Sequence, residues 1–377
     1  MMFPLLIFFS IFISGISFSA DFPIPSPPQI GASSFIVIDA YSSEVIAQSN
    51  SDERVEPASI TKLMTAYVVF NALRNGQISL EDEVLISEKA WRTEGSRMFI
   101  EVDTYVSVLD LLKGMIIQSG NDASVALAEY VAGSEEMFVN LMNHYASILE
   151  MDNSYFSNST GLPAENQYVS TKDVAILSQA LIKNFPEYYS WYSEKEFTFN
   201  NIRQYNRNLL LWRDDTVDGL KTGYTENAGY CLVSSAERSD MRLISVVMGM
   251  DNTDSRAEAS LSLLNFGFRF FETHKLYSQN EEIALARVWG GNPKEVALAV
   301  DQDIYLTVPR GSFNSLSAFI NYNQELKAPI EENLEVGEVE ILLDEDSLVT
   351  FPLRTMFQVA EAGLWERIKD QFYLWTN

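Results

Sequence analysis

The sequence predicts an α/β (α+β) domain with an antiparallel sheet and a helical cluster, followed by a small all-β sandwich-like domain and a C-terminal amphipathic helix. Three observations predict it. Apolar, β-branched runs open the folded region and return near residue 217. Apolar residues at spacings of three and four fill the segment between, and short alternating runs broken by Gly, Pro and Asn take over beyond Lys275. Strands first and last with helices between place the terminal segments of the first domain in one sheet.

The first twenty residues, MMFPLLIFFSIFISGISFSA, are an apolar run ending in small residues, the pattern of a secretory signal cleaved after Ser19 or Ala20. The usual basic start is missing, which leaves a retained anchor as the alternative. DFPIPSPPQI is an extended proline-rich lead-in. SFIVIDAYSSEVIAQ reads as two strands joined by a polar turn, and Pro57 to about Ile182 reads as helical, with VSVLDLLKGMII, DASVALAEYVAG, EEMFVNLMNHYASILEM and TKDVAILSQALI as its clearest stretches. Strands return in DGLKTG, AGYCLVSSA and MRLISVVMG, and a helical EASLSLLNFGFRFFE closes the domain. EVALAVDQDIYLTVPRG, LSAFINYN, VGEVEILLD and LVTFPLR then make the all-β part. The resulting division is 1–20, 21–276, 277–354 and a helical tail at 355–377.

In this 377-residue chain, 52 acidic against 26 basic residues give a formal net charge of −26, which argues against nucleic acid as a partner because phosphates would be repelled. The two histidines, His144 and His274, fall on a helix and at a domain boundary, so neither a Ser-His-Asp triad nor a zinc site is expected. No metal or cofactor is called for. Cys231 is the lone cysteine, which excludes an intramolecular disulfide and suits strand packing.

The chemistry lies elsewhere. In EPASITKLMTAYVVFNAL, Ser59 and Lys62 stand three apart at the start of a buried helix, on one face and within hydrogen-bond reach. The helix N-terminus disfavours an ammonium there, and a neutral lysine can take the serine proton, giving a nucleophile without histidine. A capping serine beside a snorkelling lysine is the structural alternative for an isolated pair. Ser119-Gly120-Asn121, in IIQSGNDAS, ends one helix and begins another, as any interhelical turn would. Lys221-Thr222-Gly223, in VDGLKTGYTENAGY, sits on a strand whose glycine would let a substrate backbone lie alongside. Together and in this order the three are specific.

At these residues the chain resembles the penicillin-recognising serine enzymes, and within them the low-molecular-weight penicillin-binding proteins that act as serine-type D-alanyl-D-alanine carboxypeptidases. The likeness extends to DERVEPASITKLMT, EFTFNNIRQYNRNLLLW and FGFRFFET, and VPRG occurs where a second β domain would have it. The resemblance implies a β-lactamase/transpeptidase-like penicillin-binding domain at 21–276, the all-β domain and a membrane-associating helix. It implies Ser59 as acyl-forming nucleophile, Lys62 as its base, and Ser119 as relay of a proton to the leaving D-alanine. Asn121 would hold the substrate amide, Lys221 supply positive potential, and Thr222 bind the terminal carboxylate beside Gly223. Backbone N–H groups of Ser59 and Tyr224 would form the oxyanion hole. A carboxypeptidase must insist on a free carboxylate, which suits an arginine: Arg256, in DNTDSRAEAS, matches the family's position, with Arg207, in YNRN, as the second candidate. The implied partners are peptidoglycan stem peptides, from which the terminal D-Ala is removed, and β-lactam antibiotics as acylating inhibitors.

A class A β-lactamase shares the motifs but needs a glutamate in an E-x-x-L-N loop, and Glu165, in GLPAENQYVSTKD, lacks that context. A catalytically idle peptidoglycan-binding protein would have no need of Lys62, Ser119 and Lys221, and D-alanine release separates the two. In the tail EAGLWERIKDQFYLWTN, Leu364, Trp365, Ile368, Phe372 and Trp375 recur at helical spacing, too short a stretch to span a bilayer and suited to its interface. A helix docked on the β domain or a homodimer contact would use the same stripe. With an export signal, the expected location is the periplasm, attached to the outer face of the inner membrane.

Overall fold

The computed structural model describes residues 24–344 and 346–376; the expected export signal at 1–20 lies outside the described residues. Strands Ser34–Asp39, Val45–Ser49, Val217–Thr225, Gly229–Arg238 and Met241–Met250 form one antiparallel sheet. The first strand pairs with both the second and Met241–Met250, so the chain's opening segment lies at the sheet's interior (Ile36 opposite Val246). Strand Val217–Thr225 is an edge, paired among the described residues only with Gly229–Arg238, Gly223 opposite Cys231.

Alternation along these strands sorts the core onto two faces. Ile36, Ile38, Val233, Ile244 and Val246 pack with the helical cluster; Phe35, Val37, Leu232, Leu243 and Val247 pack with Leu263 and Leu264 of helix Thr253–Phe270. Helix Lys62–Arg74 runs through the cluster and is buried from Lys62 through Ala72, which is why its sequence is apolar on all sides. Helices Asn121–Ala132, Glu135–Ile148 and Thr171–Asn184 surround it.

The segment expected to be helical throughout is broken more often than its periodicity indicates. VSVLDLLKGMII begins as strand Tyr105–Ser107, paired with Glu83–Leu85. Ser107 then caps helix Val108–Lys113 by accepting from the N–H of Asp110 at 3.1 Å. A wide π turn, Gly114–Gln118, ends that helix and delivers Ser119 in left-handed backbone geometry, φ 68°. A hairpin of Glu196–Phe199 and Ile202–Tyr205 lies farther along.

The β-rich unit is built on a six-stranded sheet, in the order Leu316–Tyr322, Glu335–Leu343, Asp346–Thr355, Glu295–Ala299, Ala284–Trp289, Leu326–Lys327. Strand Phe271–Tyr277, which straddles the expected division at 276/277, follows helix Thr253–Phe270 directly and pairs with Ile304–Pro309. The join is polar and tight. Buried Asp39 accepts from Thr273 Oγ1 at 2.7 Å and from the N–H groups of Tyr41 and Ser42, while Ser42 Oγ and Thr273 Oγ1 both meet Thr307 Oγ1.

The segment expected as helix from 355 begins as strand, Ala360–Glu361 pairing with Gly291–Asn292, and the tail helix occupies Leu364–Thr376. It is held to the β unit by Asp370, which accepts from Gly290 N–H at 2.8 Å and faces Arg287. Its aromatic stripe points the other way: Leu364, Trp365, Ile368, Phe372 and Trp375 are exposed. Among the described residues no helix is long and apolar enough to cross a membrane.

Candidate active site

Ser59 lies in a 3₁₀ turn, Ala58–Thr61, that leads into helix Lys62–Arg74. Ala58 has φ 46°, a costly left-handed conformation for alanine that lifts the serine out of the helical path. The serine is half-buried, whereas Lys62, three residues on, is only 1% exposed.

Lys62 Nζ is 3.0 Å from Ser59 Oγ, 2.6 Å from Asn121 Oδ1 and 2.6 Å from the carbonyl oxygen of Thr160. Two of these three are pure acceptors. A neutral amine has two N–H donors and one lone pair, so the amide and carbonyl oxygens take both hydrogens and the lone pair is left facing the serine hydroxyl. Burial, then the positive charge of Arg207, push the Lys62 pKa down to about 7, with Asp122 acting weakly the other way. A lysine with a pKa lowered this far has a neutral, base-competent fraction near neutral pH.

The remaining motifs converge on this amine. Asn121 opens helix Asn121–Ala132, and its Nδ2 donates to the carbonyl of Glu94 at 2.6 Å, which fixes Oδ1 toward Lys62. Ser119 is buried, and its Oγ has no hydrogen-bond partner among the described residues. A buried hydroxyl without a partner, two residues from Asn121, is available to a substrate. Lys221 is buried, and its pKa is driven well down by desolvation and by the nearby Lys62, Arg207 and Arg256. Adding a proton to one of these lysines makes the next harder to add.

Arg256, on helix Thr253–Phe270, reaches under the edge strand and donates to the carbonyls of Gly223 at 3.1 Å and Cys231 at 3.2 Å, with Tyr230 against its face. Burial lowers its pKa to about 10, which still leaves it charged at neutral pH. Arg207, between the buried Asn206 and Asn208, is close enough for its charge to depress both lysines. Thr222 is buried and Tyr224 half-exposed on the same strand. Gly223 also has a close neighbour within the protein: an added Cβ would lie 3.2 Å from Ala58 Cβ, Ile60 Cγ1 and the Pro57 carbonyl. The glycine lets the strand approach the nucleophile's own turn.

Three contributors had no sequence signal strong enough to single them out. Thr160 acts through a backbone carbonyl, which any residue offers. Gly161, at φ +84°, abuts the nucleophile turn so closely that a Cβ would fall 1.8 Å from the Ala58 carbonyl oxygen. Asp122 accepts from the N–H groups of Met98, Phe99 and Ile100 and so holds the 94–100 loop against Asn121. Glu165 is exposed on the surface, His144 is exposed, and His274 stacks on Phe313. Among the described residues no group of His, Cys, Asp and Glu is placed to hold a metal.

Residues 22–252 match the family model described as D-alanyl-D-alanine carboxypeptidase. The chain belongs to that family. Residues 271–361 match the C-terminal domain of penicillin-binding protein 5. The D-alanyl-D-alanine carboxypeptidase DacA of Escherichia coli (strain K12) is 44% identical over 359 residues, 93% of this chain and 89% of that protein. Penicillin-binding protein 5 from Haemophilus influenzae superposes with a TM-score of 0.86 at 42% identity, covering 89% of this chain and all of that one. Penicillin-binding protein D2 from Listeria monocytogenes, in its ampicillin-bound form, matches at 30% identity and TM-score 0.60 over 65% of this chain. The family membership thus rests on the whole architecture as well as on three short motifs.

The contact at Gly161 yields a test with a built-in control. Gly133, at φ +80°, has nothing within 4 Å of its Cβ position, so Gly133→Ala carries only the left-handed strain, about 1–2 kcal/mol. Gly161→Ala adds a collision with the nucleophile turn. Thermal denaturation should show a larger loss for Gly161→Ala, and labelling by a fluorescent penicillin should fall in that variant alone. Equal behaviour of the two variants would remove the contact from the account.

Proposed function

We propose that the chain removes the terminal D-alanine from peptidoglycan stem pentapeptides through an acyl-enzyme on Ser59. The observation that carries this is the position of Lys62 Nζ, 3.0 Å from Ser59 Oγ with its other two contacts made to acceptors. Ser59 Oγ attacks the carbonyl of the penultimate D-alanine while its proton passes to Lys62 Nζ. The developing oxyanion is held by the backbone N–H groups of Ser59 and Tyr224. The peptide C–N bond breaks, D-alanine leaves as an amine after receiving a proton through Ser119, and water hydrolyses the ester. Asn121 and the edge strand Val217–Thr225 hold the peptide. Lys221, Thr222 and Arg256 hold the terminal carboxylate, with Arg207 adding to the positive potential. β-Lactams acylate the same serine, an interaction supported by the ampicillin-bound relative.

The reading extends to location. The N-terminal apolar run supports export to the periplasm, and the exposed stripe of the tail helix supports peripheral attachment to the outer face of the inner membrane.

The Ser59→Ala variant should lose both penicillin labelling and D-alanine release, and Lys62→Arg should be nearly as damaging, since guanidinium keeps its proton. In the wild type, acylation should slow about tenfold per pH unit below 7 as Lys62 becomes protonated. Labelling of a folded Ser59→Ala protein, or wild-type acylation by Lys62→Arg, would overturn the assignment. Truncation of Arg256 should slow hydrolysis of a free-ended peptide far more than acylation by a C-terminally amidated one, because only the former has the carboxylate; equal losses would make the arginine structural.

The tail carries Glu361, Glu366 and Asp370 against Arg367 and Lys369, so apolar burial drives its membrane binding. The protein should sediment with liposomes and be little released by salt, whereas deletion after Ala362 should leave it in the supernatant with full activity on small peptides. Sedimentation unchanged by the deletion would refute the anchor.

A further inference from the structure

Strand Leu316–Tyr322 is the free edge of the six-stranded sheet, paired with Glu335–Leu343 on one side only among the described residues. Its five central residues, Ser317 to Asn321, are all exposed, so both of its faces meet solvent, and Phe319 is 62% exposed. Exposed edges are normally guarded by charge, proline, a bulge or shortness. This one has none of these: LSAFINY is uncharged, seven residues long and in unbroken register with its neighbour. The opposite edge of the same sheet, Leu326–Lys327, is two residues long and ends in a lysine. The Val45–Ser49 edge of the first sheet is short, and its pairing register is shifted.

We propose that this edge is an interface between two copies of the chain, Leu316–Tyr322 pairing antiparallel with its counterpart about a two-fold axis through Phe319. The occupant follows from the strand's own order. Residues directly opposite in an antiparallel pair share a face, so a two-fold axis must pass through a residue. With the axis at Phe319, Phe319 meets Phe319, Ala318 meets Ile320, Ser317 meets Asn321 and Leu316 meets Tyr322: apolar with apolar and polar with polar along all seven positions. Moving the axis to Ala318 or Ile320 sets Phe319 against Ser317 or Asn321 and shortens the ladder. The nearest like charges on that face are the two copies of Glu340, which pairs with Phe319 on the neighbouring strand. They would stand three strand spacings apart, about 14 Å. That exceeds the Debye length of about 8 Å at physiological salt, so their repulsion is largely screened there and does not oppose the pairing. This inference is independent of the carboxypeptidase reading.

Cysteine cross-linking of the full chain in non-ionic detergent tests both the pairing and its register. The native Cys231 is buried and supplies no background. Under mild oxidation Phe319→Cys should give a disulfide-linked dimer, because opposite Cα atoms in either kind of antiparallel pair lie within bridging range, about 4.5–5.5 Å. Ser317→Cys should not, since its two copies would stand four residues out of step, about 14 Å. Phe319→Lys, which sets like charges against each other, should weaken self-association more than tenfold in sedimentation equilibrium while penicillin labelling stays at the wild-type level. A monomeric wild-type protein at tens of micromolar, equal cross-linking of the two cysteine variants, or a dimer indifferent to Phe319→Lys would each overturn the proposal, the last two even if a dimer forms elsewhere.

Discussion

A buried amine with two fixed acceptors and one open direction is the constraint on which the rest of the site depends. Lys62 has no room to be solvated, and Asn121 Oδ1 with the Thr160 carbonyl takes the two hydrogens that a neutral amine can give. The lone pair then has only the serine to face. Burial that makes the ammonium costly and the positive charge of Arg207 act in the same direction, so the base is created by its surroundings rather than by its side-chain type. A histidine would need less help, because its ordinary pKa already lies near neutrality. A lysine needs the whole architecture.

That architecture is assembled from segments far apart in the chain. The nucleophile turn at Ala58–Thr61 is enclosed by Gly161 on one side and by Gly223 on the other, each position too close for a side chain to be accommodated without displacement. The π turn at Gly114–Gln118 rotates Ser119 into left-handed backbone and starts helix Asn121–Ala132 in the direction that aims Asn121 at Lys62. Asp122 then holds the 94–100 loop, whose Glu94 carbonyl fixes the amide of Asn121. Lys62, Lys221, Arg207 and Arg256 lie close enough that each positive charge disfavours the next. A terminal carboxylate entering the site would relieve the repulsion, which is a physical reason for a free chain end to be preferred.

Much of this was legible in the sequence because side-chain chemistry at a fixed helical spacing leaves a mark. Ser59 and Lys62 three apart, Ser119 with Asn121, and Lys221 with Thr222 each occupy the type of element expected, and the strands-helices-strands order gave the sheet. What was not legible came from the backbone. Thr160 contributes a carbonyl that any residue could supply, and the close approach of Gly223 to residues 57–60 leaves no mark in the local sequence. The helix–strand switch at Phe270–Phe271 is hidden in FGFRFFE, where one aromatic-rich run serves the last turn of a helix and the first residues of a strand. The tail's amphipathic period was clear, but its attachment through Asp370 depends on a Gly290 N–H from a turn some eighty residues earlier, which no local pattern announces.

The chemistry requires that Lys62 be neutral enough at working pH to accept the Ser59 proton. That requirement is tested most directly by following the Lys62 side-chain amine by ¹⁵N NMR across a pH titration of the folded, unacylated protein, with Lys62→Arg identifying the resonance. A midpoint near 7 is the predicted result. A midpoint near the ordinary lysine value of 10.5 would contradict the account, because the amine would then hold its proton when the serine must lose its own.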